Sequence, residues 1–217
     1  IRSELLVDEG DPYSVLLVNK SINEIKARRI FGKVEEKVLP GSSNDLKVLE
    51  ISVEEMATGE VMAGAGFGTD GTSFAFTVSE NNWLGRGIKL ETTLNLSQEK
   101  VSGNIMLNNP NYNFTGNSVT TAFDVSSTDR AKTSGFKSSR TGFLLGTSFE
   151  QYENIFISPD FTVAFEEIDV DSTASSKIKK MEGNFFNSDI GYALIVDKRN
   201  QGFKPTRGYR AKFNQKL

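Results

Sequence analysis

The 217 residues predict a chain of two unlike parts, a small α+β module and then an antiparallel transmembrane β-barrel portion of about nine strands. Three observations carry this reading. A single helical run with a start signal lies near the beginning. No convincing helix follows Glu60. From there on apolar residues recur at every second position, many in segments of about nine to eleven residues, the length of a tilted strand crossing a bilayer.

The first module opens with "EGDPYSVLLVNKSINEIKARRIF". Asp11 suits an N-cap and Pro12 the first helical position, where its missing N–H costs nothing. Val15, Val18, Ile22 and Ile25 recur on one helical face. Lys26, Arg28 and Arg29 fall where the helix dipole favours cations, and Gly32 is placed to stop the helix. "KVEEKVLPG" and "LKVLEISVEE" then read as two strands. On pattern alone this module is equally a generic binding domain.

The second part begins with Val61–Thr69, where Val61, Ala63, Ala65 and Phe67 face one way and Gly64, Gly66 and Gly68 the other. Asp70-Gly71 is a two-residue hairpin signal. Phe74, Phe76 and Val78 mark the next strand. Ile88, Leu90, Leu94 and Leu96 alternate with Lys89, Glu91 and Asn95 in the third. Further strands are marked by Val101–Leu107, Val119–Val125, Phe143–Phe149, Ile155–Phe165, Ile190–Val196 and Tyr209–Phe213. A soluble sandwich also alternates. The strand lengths, the charged, amide and hydroxyl groups on the polar face, and the position of the aromatics favour a barrel. Trp83, Tyr112, Tyr152 and Phe203 lie at alternate turns, as one interfacial girdle requires. "SSTDRAKTSGFKSSRTG" and "FEEIDVDST" read as polar loops.

Composition excludes several chemistries. Cysteine and histidine are both absent, which removes disulfides, thiolate metal sites and a Ser-His-Asp triad. With 25 basic and 28 acidic residues the net charge is −3, so no global basic field attracts nucleic acid. Glu166, Glu167, Asp169 and Asp171 lack the glycine of a calcium-binding EF-hand loop. "GAGFGTDG" lacks the Gly-Lys-Ser/Thr of a phosphate loop. No enzyme, cofactor or metal is expected. The chain does not begin with Met, and Ile1 reads as a position inside a longer protein.

The segments "EGDPY", "IFGKVEEKVLPGSS", "VEEMATGEVMAGAGFGTDG", "ENNWLGRG", "NPNY" and "FKPTRGYR" occur in this order. Together they resemble the outer-membrane protein assembly factor (BamA) family, of alphaproteobacterial type. The resemblance implies that residues 1–59 are most of the last POTRA domain, in the periplasm. Residues 60–217 are then the N-terminal half of a sixteen-stranded outer-membrane barrel. It implies a non-enzymatic factor that folds and inserts outer-membrane proteins. Its partners are unfolded outer-membrane proteins, accessory assembly lipoproteins and outer-membrane lipid. The seam edge that receives an incoming strand falls on Val61, Ala63, Gly64, Ala65, Gly66, Phe67, Gly68 and Thr69. The family's Arg-Gly-Phe loop motif is not found; Arg207-Gly208-Tyr209 echoes it in another place. A TamA-like or two-partner secretion factor shares the domain plan, and a passive outer-membrane pore shares the barrel. Turns near Asp70, Glu99, Thr133 and Ser175 are expected outside. Those near Asn82, Asn111, Tyr152 and Gly202 are expected in the periplasm, and the outer ones are expected to be longer.

Overall fold

A computed structural model describes residues 1–68, 71–172, 174–200 and 204–217. Thr69, Asp70, Gly202 and Phe203, singled out above, lie outside the described residues. The chain divides into two compact units. One comprises Ile1–Thr58 and Val196–Ala211, the other Gly59–Ile195 and Lys212–Leu217.

In the first unit, α1 (Val15–Ala27) packs on an antiparallel pair, β1 (Phe31–Pro40) and β2 (Lys47–Glu55). Ser14 caps the helix, not Asp11. Its backbone is extended and its hydroxyl accepts the Leu17 N–H at 3.5 Å. Asp11 instead accepts the Asp8 N–H at 2.9 Å and closes a local turn, leaving Pro12 outside the helix. Nor does Gly32 end it. The helix stops at Ala27, Arg29 takes the left-handed φ of 57°, and Gly32 already lies in β1.

Val18, Ile22 and Ile25 are buried, and Leu5, Val7, Phe31, Val34, Leu49 and Ile51 pack against them. Val15, expected on the same face, is exposed. Ser21 is buried with both hydrogen-bonding roles filled. Its hydroxyl donates to the Leu17 carbonyl and accepts the Leu6 N–H, each at 2.8 Å, tying the N-terminal segment to the helix. Arg28 pairs with Glu4 beside this contact.

The turn segment of this unit is also built tightly. Asn200 Oδ1 accepts the N–H groups of Thr206 and Arg207, both at 3.1 Å. Arg199 donates its backbone N–H and two guanidinium N–H groups to the Asp197 carboxylate. Gly208 has a φ of +91°, and a Cβ there would overlap the Lys198 carbonyl.

The remaining strands form one nine-stranded antiparallel meander, each strand beside its sequence neighbour. They are β3 (Gly59–Gly68), β4 (Gly71–Trp83), β5 (Ile88–Ser97), β6 (Lys100–Asn109), β7 (Ser118–Arg130), β8 (Phe136–Tyr152), β9 (Ile155–Val170), β10 (Gly183–Asp197) and β11 (Arg210–Lys216). β3 and β11 are its edges.

Two expected loops are largely strand. Residues 126–130 continue β7, and β8 starts at Phe136, so the turn carries only the short helix α2 (Ala131–Ser134) and Gly135. "FEEIDV" continues β9 to Val170. Strand alternation turns Glu166 and Glu167 to opposite faces, opposite Arg140 and Ser139 respectively. The expected long loop around Thr133 is therefore a tall hairpin. Residues 171–182, which hold α3 (Ser176–Lys179), form a longer connection.

The core register gives one prediction. In the full-length protein, Ile25→Ala should cost about 2–5 kcal/mol of local stability. It should be read as lost amide-exchange protection through α1. Leu16→Ala, at a position 78% exposed, should leave protection unchanged. Equal effects would overturn the assigned helix face.

Candidate functional site

The two faces of the large sheet differ in kind. One register row runs Val61–Val78–Thr92–Ile105–Phe123–Phe143–Val163 across β3 to β9. The next runs Ala63–Phe76–Leu94–Gly103–Val125–Thr141–Phe165. Most of the large side chains in these rows are exposed: Val78 by 53%, Ile105 by 48% and Phe123 by 46%. No second layer covers this apolar face among the described residues.

The opposite face is polar and bonds to itself. Thr77 meets Thr93 at 3.3 Å, Asn108 donates to Thr120 at 2.6 Å, and Ser158 donates to Ser148 at 2.7 Å. Lys89 pairs with Glu91 at 2.7 Å, and Arg140 reaches diagonally to Asp124. Gly142 lies directly across from Asp124, and a Cβ there would press on the carboxylate, so glycine makes the ion pair possible. The residues buried on the sheet, Ser79, Gly142, Thr162, Ala164, Gly191 and Ala193, are small. This inverts the usual order: in a soluble sheet the apolar face is the covered one.

The predicted seam residues Val61, Ala63, Gly64, Ala65, Gly66, Phe67 and Gly68 all lie in β3, with Thr69 outside the described residues. Every residue of β3 is exposed, and the strand pairs on one side only, with β4, from Gly59↔Glu80 to Gly68↔Gly71. Its other side pairs with no strand among the described residues, and such an edge presents a row of backbone donors and acceptors. A Cβ would meet nothing within 4 Å at Gly64 or Gly68. At Gly66 it would come 3.2 Å from Ser73 Oγ.

Trp83 ends β4, Tyr112 lies in the turn between β6 and β7, and Tyr152 ends β8; all three are exposed. In a meander these turns share one end of the sheet, opposite the turns β3–β4, β5–β6 and β7–β8. At that other end Glu99 accepts from Arg130 Nε at 2.8 Å and from Thr133 at 3.0 Å, bracing the β7–β8 tip on the β5–β6 turn. Sequence reasoning missed this brace and the Asp124–Arg140 pair, because both join residues on different strands.

A sheet with a bare apolar face and a self-bonded polar face is the wall of a membrane β-barrel. Residues 82–217 match the Omp85 superfamily domain, and the chain belongs to that superfamily. An outer membrane protein assembly factor BamA from Neorickettsia risticii is 27% identical over 223 aligned positions. These take in 100% of this chain and 30% of that protein. Among solved structures, BamA from Haemophilus ducreyi lacking POTRA domains 1–3 aligns with a TM-score of 0.75 at 18% identity, over 100% of this chain and 44% of that one. CdiB from Acinetobacter baumannii aligns with a TM-score of 0.55 at 11% identity, over 99% and 42%. The chain thus spans less than half the length of each of these relatives.

The face assignment is tested by one pair of variants. Leu94 lies on the apolar face, and Asn95 on the polar face between Ala75 and Ser102. Leu94→Arg should cost about 2–4 kcal/mol of barrel stability in bilayers. Asn95→Arg should cost far less. Equal tolerance, measured by heat-modifiable migration after refolding into liposomes, would overturn the assignment.

Proposed function

We propose that this chain is the working centre of an outer-membrane protein assembly factor. Residues 60–217 form the first half of the barrel, and residues 1–59 serve as the last POTRA module on the periplasmic side. β3 is one lip of a lateral seam, and an incoming outer-membrane protein adds its strand to the open edge by β-augmentation. The observation that carries this is β3 itself, an edge strand of the described sheet that sets Gly64, Gly66 and Gly68 along one face. Glycine weakens a strand interior and leaves no side chain to lock a partner strand. Energy comes from the substrate's own folding, with no enzyme chemistry and no cofactor. Accessory lipoproteins of the assembly machinery and outer-membrane lipid are the further partners. Trp83, Tyr112 and Tyr152 form the periplasmic girdle. The likeness to an assembly factor over the whole chain favours assembly over translocation by a sibling factor.

A disulfide across the seam in the full-length protein, one cysteine in β3 and one in the closing strand, tests the gate. The described chain brings no native thiol to compete. Outer-membrane protein assembly should stop when the bond forms and return on reduction. Normal assembly with the seam fully crosslinked would exclude lateral opening.

Orientation has its own test. With the N-terminal unit in the periplasm, β3 starts there. The antiparallel β3–β4 pairing then puts the turns near Glu99, Thr133 and Ser175 outside. In intact cells an impermeant thiol reagent should label Thr133→Cys and Ser175→Cys of the full-length protein and spare Asn82→Cys. The reverse pattern would invert the topology.

A further inference from the structure

The β5–β6 turn has only two residues, Gln98 and Glu99, and they reach toward different neighbours. Ser97 Oγ accepts the Lys100 N–H at 3.0 Å and closes the turn. On one side the Glu99 carboxylate accepts from Arg130 Nε at 2.8 Å and from Thr133 Oγ1 at 3.0 Å, and the Glu99 carbonyl accepts the Asp129 N–H at 2.7 Å. On the other side the Gln98 amide fills the place that a side chain of Gly71 would take. Its Oε1 lies 2.6 Å and its Cδ 2.7 Å from where a Cβ would stand. Gly71 opens β4 with a φ of +86° and pairs with Gly68, the last residue of β3. Phe67, Gly68 and Gly71 accordingly line one hollow with Gln98, Glu99 and Arg130. The chain of contacts runs on past the β7–β8 tip, where the Asp171 N–H donates to the Gly135 carbonyl at 2.7 Å. At the other end of β4, Asn82 Oδ1 accepts the Gly87 N–H at 2.7 Å and closes its own turn.

We propose that Gln98 and Glu99 are positioning residues for β3, a clamp that holds the Gly68–Gly71 end of the β3–β4 hairpin to the β7–β8 tip. Exposed ion pairs contribute little when long side chains must be ordered to form them. Here the Glu99 side chain is 24% exposed, its carboxylate takes two donors, and its own carbonyl takes a third from the same tip. The tie is charge-assisted, and such bonds are stronger than neutral ones. β3 has a ladder on one side only among the described residues, and a strand so held opens locally at its ends. Gln98, packed on Gly71, supplies a restraint at one of those ends from the neighbouring hairpin. An edge held at one end presents a fixed register to any strand added to it. That consequence rests on the seam reading; the clamp itself does not.

The test is amide exchange of the full-length protein in liposomes, read by mass spectrometry. In Glu99→Ala the amides of residues 128–136 should exchange about tenfold faster, as expected for loss of a charge-assisted pair. Residues 63–67 and 72–76, which face each other across the hairpin, should quicken several-fold with them. Glu99→Gln keeps an acceptor oxygen and should retain part of the protection. Gln98→Ala should quicken 63–67 and 72–76 and leave 128–136 unchanged. Asn82→Ala should quicken residues 83–88 and leave 63–67 and 72–76 unchanged. Heat-modifiable migration verifies that each variant is folded. If Glu99→Ala does not fold, Gln98→Ala against Asn82→Ala carries the test. Hairpin amides indifferent to the changes at Gln98 and Glu99, or quickened as much by Asn82→Ala, would overturn the clamp. Exchange reports on the wall alone, so the seam disulfide fails or succeeds separately.

Discussion

A wall that meets lipid on one face has no water there to complete its hydrogen bonds. Everything else in the large sheet follows from that constraint. Backbone groups must pair strand to strand, which the uninterrupted meander from β3 to β11 does. Side-chain polarity must collect on the other face, and there it must satisfy itself. The Thr77–Thr93, Asn108–Thr120 and Ser158–Ser148 contacts do so within the sheet. Glycine at position 142 is part of the same requirement, because the Asp124–Arg140 pair occupies the space a side chain would take.

The constraint also makes an edge expensive, and β3 lies at an edge of the described sheet. β3 carries no lysine or arginine; its interior is Val61, Met62, Ala63, Gly64, Ala65, Gly66 and Phe67. An apolar, glycine-rich edge invites pairing where a charged one repels it. Such an edge is a hazard in a soluble protein and a tool in one that templates strands.

Much of this was legible in the sequence because two of its causes are local. Period-two alternation follows from strand geometry, so residues such as Ile88, Leu90 and Leu94 announce their face without any knowledge of neighbours. The nine-strand count follows from the same alternation. Strand ends were not legible in β7, β8 and β9. Above the apolar belt both faces are polar, as where Asp129 pairs with Lys137 at 2.8 Å, and the alternation that marks a strand disappears while its backbone ladder continues. The helix start was misplaced because Asp11 and Ser14 are both good caps, and the choice turned on Asp11 being engaged by the Asp8 N–H. Of the candidate site, the alternating glycines of β3 could be read directly, whereas the seam role came only with the family resemblance. The cross-strand partners Asp124 and Arg140 could not, since register decides which residues meet.

The glycines separate what the fold needs from what it does not. At Gly208 a side chain would strike the backbone of the opposing turn residue, and the residue's left-handed φ excludes most alternatives. The fold alone accounts for that glycine. At Gly64 and Gly68 the backbone is extended, the surrounding space is open, and β-branched residues would strengthen the strand. A chain optimising only its own sheet has no reason to leave these two positions bare. On the proposed function the reason lies on the free side of β3, where a smooth, weakly committed edge would pair with one strand, release it, and pair with the next.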